Sequence, residues 1–197
     1  MLISQAEAEN LKKYVANGGH LVLGVRSGMK NENNVVTDLP WPGLLAELAG
    51  VTVDEFEAFP PHAWNTVVYQ GISYDVRKWA DVLTSHTAQV KAVYGGKFYQ
   101  GKPAVTRNVY GQGSVTYFGA AGCPELTKRY LEALLDEYGI VRTKMPAGVF
   151  LTIRETETKR FLFVINMNTQ PCFLELPCSG TSCISGKQAG GTVCVKG

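Results

Sequence analysis

A helix that runs straight into a buried strand, with only two glycines between them, restricts this chain more than any other stretch. Residues 4–17 carry the helix. Ser4 and Glu7 form an S-x-x-E capping box, Ala8, Leu11 and Val15 line one apolar face, and Glu9 sits one turn before Lys13. Asn17-Gly18-Gly19 ends it, because glycine tolerates the left-handed conformation that helix ends require. The apolar strand 20–25 follows at once. A helix leading into a buried strand is half of a β-α-β crossover. The strand that should come before the helix is not in the sequence, so the chain reads as starting partway through an α/β domain.

Beyond the strand lies a polar loop, Arg26 to Asn34, holding Arg26, Ser27, Gly28, Lys30 and Glu32. Loops at the carboxyl ends of strands are where α/β proteins place function. Two readings stay open here: a solvated connection, or an interaction loop anchored by Arg26 at a subunit or domain contact. The chain continues with Trp41-Pro42-Gly43, a short helix 44–49, and an edge strand 51–59 that alternates apolar and acidic residues. Strands are predicted at 65–76 and 90–94, with Trp79 to Leu83 as a connecting turn or helix. Residues 104–110 and 114–118 form a hairpin through Gly111-Gln112-Gly113. Pro124 opens a helix that runs to Gly139. After Pro146 the pattern changes to short strands at 150–153, 161–165, 173–176, 183–185 and 192–195, a small antiparallel β-domain near the minimum size for folding alone.

Several kinds of chemistry find no support. The net charge is +2, with basic residues scattered, so neither nucleic acid nor an anionic membrane is implied as a partner. No apolar run is long enough to span a bilayer, and MLISQAEAEN has no secretion signal. The glycine pairs lack phosphate-loop spacing, and His20, His62 and His86 lack ligand spacing, so no cofactor or metal is expected. The five cysteines (Cys123, Cys172, Cys178, Cys183 and Cys194) include no C-x-x-C pair and read as reduced thiols. Cys123 is the sharpest catalytic candidate, because a helix N-terminus lowers a thiol pKa; the Pro124-Glu125 that follows does not fit a nucleophile elbow. Asp54, Glu55 and Glu57 form a carboxylate cluster that a solvated strand edge explains more simply than glycosidic chemistry.

The segments LKKYVANGGHLVLGVRSGMKNENN and WPGLLAELAGVTVDEF resemble the trimerisation domain of family 42 glycoside hydrolases, the bacterial β-galactosidases. The resemblance continues through 79–83, Phe98-Tyr99-Gln100-Gly101-Lys102-Pro103 and Tyr110-Gly111-Gln112-Gly113, then through 146–149 and 161–166 of the C-terminal β-domain. It implies a flavodoxin-like domain of three layers over 1–145, similar in fold to class I glutamine amidotransferases and N-terminally truncated, followed by a small all-β domain over 146–197. It also implies self-association as a trimer, a cytoplasmic bacterial setting, and a missing partner: the catalytic (β/α)8 barrel that carries both family glutamates and needs about 250 residues. No residue here inherits a catalytic role. Arg26, Ser27, Gly28, Lys30 and Trp41 are the expected contact residues. Two alternatives are an amidotransferase-like hydrolase using Cys123, and a galactoside-binding module using Trp41, Trp64 and Trp79.

Overall fold

The computed structural model describes residues 2–197, in two compact units that divide between Glu132 and Ala133. The first unit begins as predicted with α1 (Gln5–Ala16). The Ser4 N–H donates to Glu7 Oε2 at 2.8 Å and the Glu7 N–H donates back to Ser4 Oγ at 3.3 Å, closing the capping box. At the far end the N–H groups of Gly18 and Gly19 donate to the carbonyls of Val15 and Tyr14. The chain then enters β1 (His20–Gly24).

A single 3-10 turn (Gly43–Leu45) leads into α2 (Ala46–Ala49) and then β2 (Val51–Ala58). The predicted strand 65–76 is a hairpin, β3 (Asn65–Tyr69) and β4 (Ile72–Val76), because Gln70 and Gly71 both take positive φ and turn the chain. Next come β5 (Trp79–Ser85), β6 (Gln89–Tyr94), β7 (Pro103–Tyr110), β8 (Gly113–Phe118), β9 (Ala120–Ala121) and α3 (Pro124–Glu137). The expectation of a turn or helix at 79–83 is corrected. Residues 80–83 are all buried, the carboxylate of Asp81 included, so the apolar–polar alternation that marks a half-buried strand is absent.

Among the described residues, six strands pair in the order β1-β8-β7-β6-β3-β4 and three in the order β2-β5-β9. β1 pairs with β8 in parallel, His20 opposite Ser114 through Gly24 opposite Phe118. The other pairings in both sheets are antiparallel. The core gathers Ala8 and Val15 from α1, Leu45, Leu48 and Ala49 around α2, Leu23, Val115 and Tyr117 from β1 and β8, and Val51 and Leu83 from the smaller sheet. The unit is therefore α/β with a mixed sheet.

The second unit holds strands in pairs: β10 (Val149–Glu155) with β11 (Arg160–Asn166), β12 (Cys172–Glu175) with β15 (Thr192–Val195), and β13 (Gly180–Thr181) with β14 (Gln188–Ala189). The predicted strand 183–185 is instead a turn. The Ser185 N–H donates to Ser182 Oγ and the Gly186 N–H to the Ser182 carbonyl, so local serine bonding overrides the strand preference of Cys183 and Ile184. Val149 and Leu174 are buried, while Phe150 opposite Ile165, together with Phe163 and Phe173, stand well exposed.

This contrast sets unequal mutational costs. Leu83, fully buried, should lose about 2–5 kcal/mol on truncation to alanine. Phe150→Ala, at a position 61% exposed, should cost about 0.5 kcal/mol or less. Urea-unfolding midpoints of the two variants check the difference.

Candidate interaction site

The loop after β1, where contact residues are expected, is held by one buried carboxylate. Asp81, on β5, is 2% exposed and collects donors from three distant parts of the first unit. The backbone N–H of Arg26 donates to its Oδ2 at 3.2 Å, the Tyr117 hydroxyl donates to the same oxygen at 2.8 Å, and the Trp79 indole N–H donates to Oδ1 at 2.6 Å. The Asp81 backbone is held as well: its N–H donates to the Gly119 carbonyl at 2.7 Å, and its own carbonyl accepts from the Tyr94 hydroxyl at 2.9 Å. Burial raises the Asp81 pKa, against the opposing pull of these donors and of the Arg26 charge. Burial likewise drives the Tyr94 and Tyr117 hydroxyls up, so both stay protonated donors.

Arg26 adopts φ 62°, a left-handed conformation uncommon for a residue with a side chain. Its bond to Asp81 and its guanidinium, 4.9 Å from the centre of the Trp79 ring, hold it there. From Trp79 a stack of rings continues outward. Phe56 lies 4.9 Å away and nearly parallel, at 7°, and Trp41 follows at 5.7 Å and 28°. Phe56 remains 49% exposed. Beside this stack a groove of about 560 Å³ is lined by Asp38, Leu39, Pro40, Trp41, Val53, Asp54, Glu55 and Phe56.

The expected contact residues divide into two groups. Arg26 is exposed and Trp41 half-buried, both in the stack or its cap. Ser27 and Gly28 are buried. Gly28 presses on the next loop so closely that an added Cβ would sit 2.0 Å from the Pro42 carbonyl oxygen, and Gly43 meets the Gly28 carbonyl in the same way. These two positions hold the loop in place. Lys30 braces it: its carbonyl accepts from the Ile3 N–H, and its Nζ donates to Asn34 Oδ1 at 2.9 Å. Sequence reasoning missed Asp81 and Phe56. The single local signal was the Trp79-x-Asp81 spacing, which puts both side chains on one face of a strand once 79–85 is read as a strand.

The other candidates come apart. Cys123 is 2% exposed, and burial pushes its thiol up, with Glu125 and Asp75 adding to the rise against a bond from the Leu126 backbone, which favours the packing and capping role over a nucleophile activated at the helix start. Its carbonyl instead accepts from the Thr127 N–H and hydroxyl, giving the residue a helix-opening role. Glu57 accepts from Lys97 and from the Tyr99 hydroxyl, and Asp54 accepts from Thr84. His20 faces Ser114 and His86 faces Thr52. Among the described residues no three His, Cys, Asp or Glu side chains gather as metal ligands, and no helix is long and apolar enough to cross a membrane.

Two outcomes follow from this geometry. An acid whose folded pKa lies above its unfolded value stabilises most below that unfolded value, near 3.8 for Asp81, and loses that contribution as pH rises through the folded one. The melting-temperature difference between wild type and Asp81→Asn should therefore shift against wild type as pH rises from about 4, whereas Asp81→Ala, which leaves three donors without an acceptor, should cost about 3 kcal/mol throughout. Thiol titration of the native chain should find Cys178, Cys183 and Cys194 reactive and Cys123 protected until unfolding, in keeping with their exposure. Fast labelling of Cys123 would contradict its burial.

Residues 1–141 match the family described as the β-galactosidase trimerisation domain, and residues 148–197 match the β-galactosidase C-terminal domain. A β-galactosidase of Geobacillus kaustophilus is 34% identical over 177 residues, covering 89% of this chain and 26% of the relative. One from Clostridium cellulovorans is 36% identical over 166 residues, covering 83% of this chain and 25% of its own length. The crystal structure of a β-galactosidase from Bacillus circulans sp. alkalophilus superposes with a TM-score of 0.86 at 28% identity, over 99% of this chain and 30% of that one. The chain thus spans about a quarter to a third of the relatives it matches.

Proposed function

The chain belongs to the β-galactosidases of glycoside hydrolase family 42, carrying their trimerisation and C-terminal domains, and on that premise we propose that it works as the self-associating, accessory region of such an enzyme. Cleavage of a β-galactoside then belongs to two glutamates in a (β/α)8 barrel outside these residues, a fold of about 250 residues by itself. The observation that carries the reading is the Arg26–Trp79–Phe56–Trp41 stack, with Arg26 and Phe56 exposed and both tryptophans half-buried, standing on a buried carboxylate inside the region matched by the trimerisation domain. Exposed aromatics and arginine on a rigid base are what subunit contacts use as anchors. We take Arg26 and Trp41 as contact residues, with Ser27, Gly28 and Lys30 holding the loop that presents them.

The division into 1–145 and 146–197 falls between the end of the first family match at 141 and the start of the second at 148. A flavodoxin-like, amidotransferase-like layering of the first domain draws support from α1 leading directly into β1 beside the parallel β8. A bacterial setting draws support from relatives such as those of Geobacillus and Clostridium, and we keep the cytoplasm as the proposed compartment.

One observation favours a second reading, galactoside binding: Trp41 and Trp79, far apart in sequence, meet through Phe56 beside a groove that carries three carboxylates. Three measurements on the purified chain separate the readings. Light scattering should give a species of three copies at tens of micromolar, and a chromogenic galactoside should not be hydrolysed. Tryptophan fluorescence should not respond to millimolar galactose or lactose. Turnover by the chain would overturn the accessory reading, and saturable quenching would establish the sugar-binding one.

A further inference from the structure

The turn between β6 and β7 matches the family over Phe98 to Pro103 and has no part in the site described above. It is tightly built. The Gln100 N–H donates to the Lys97 carbonyl, that of Gly101 to Tyr94, and that of Lys102 to Tyr99. Tyr99, 1% exposed, anchors it through its hydroxyl on Glu57. On this rigid base Phe98 projects outward 80% exposed, its ring edge-on to Tyr99 at 4.9 Å. An ordered turn that holds a whole aromatic ring in water has the form of an interface anchor. Lys97, before the ring in sequence, is paired with Glu57, Lys102 closes the turn at an exposed position, and residues 95–103 contain no carboxylate.

The groove beside the aromatic stack has the opposite character. It is concave, it offers Leu39, Trp41 and Phe56, and its lining includes Asp38, Asp54 and Glu55 with no basic residue. Phe98 is not part of that lining, and Lys97 and Tyr99 both bind Glu57, which pins the turn beside β2 of its own copy. A threefold ring joins copies head to tail, so it needs two different, complementary patches on one chain. A cationic aromatic knob and an anionic aromatic socket, both inside the matched trimerisation domain, supply such a pair.

Building on the self-association reading, we propose that Phe98 of one copy seats in the Trp41–Phe56 groove of the next, with Lys102 set against Asp38, Asp54 and Glu55. Complementary charge in such a contact fixes register and partner choice more than raw affinity.

Analytical ultracentrifugation of the full chain tests this. Wild type should sediment as three copies; a wild type that stays monomeric at 100 µM would sink both the reading and this proposal. Phe98→Ser should weaken assembly at least tenfold with circular dichroism unchanged. Trp41→Ala should do the same. Leu39→Asp, at an exposed position outside the stack, supplies a groove variant that leaves the rings intact. Mixing Phe98→Ser with Leu39→Asp leaves one sound knob and one sound socket, so a 1:1 dimer that cannot grow should form. Lys102→Glu should weaken assembly, and adding Glu55→Lys should restore part of it. A trimer that persists in Phe98→Ser, or a mixture that stays monomeric, would overturn this contact and leave the self-association reading standing.

Discussion

Asp81 is the point on which the surface around Arg26 and the ring stack depends. One carboxylate, out of water on the middle strand of the smaller sheet, accepts from the backbone of the loop after β1, from an indole on its own strand and from a tyrosine on β8. A buried charge of this kind costs free energy unless donors surround it. Here the donors come from three segments far apart in sequence, so satisfying the charge also sets their relative positions. The loop conformation at Arg26, unfavourable for an isolated residue, persists because this carboxylate and the Trp79 ring hold it.

The stack of rings extends that local constraint to the surface. Trp79 is oriented by its bond to Asp81, Phe56 lies parallel to it, and Trp41 follows. Rings ordered in this way have little conformational freedom left to lose when something covers them, which makes them efficient binding surfaces. The second unit is built differently. Its strands pair two by two, and Phe150, Phe163 and Phe173 stay open to solvent, so its apolar residues contribute less to its own stability than those of the first unit.

Local features were legible in the sequence because local physics fixes them. The capping box, the glycine stop before β1, the hairpin at Gly111 and the helix opened by Pro124 are each decided by residues within a few positions of one another. The loop after β1 was legible as a loop, and two of its residues, Ser27 and Gly28, are buried. What escaped were positions defined by the fold. Strand β5 is buried on both sides and lost its period, and with it went the alternation that sets Trp79 and Asp81 on one face. Asp81 joins residues 26, 79 and 117, and no window of sequence holds all three. Phe56 looked like one member of an edge strand until the two tryptophans came to lie on either side of it.

The contact between Gly28 and the Pro42 carbonyl has a consequence for how this surface can change over generations. With 2.0 Å between that oxygen and any added Cβ, and with Gly43 closed against Gly28 in return, the two loops are locked as a mated pair of backbones. A side chain at either glycine would displace Trp41, and so the groove, without altering any residue exposed to a partner. Drift in the exposed residues is free to change the chemistry of the surface, while the paired glycines keep its shape. The glycines are therefore the slow-changing part of this surface, and Arg26 and Leu39, both exposed, are the part left free to vary.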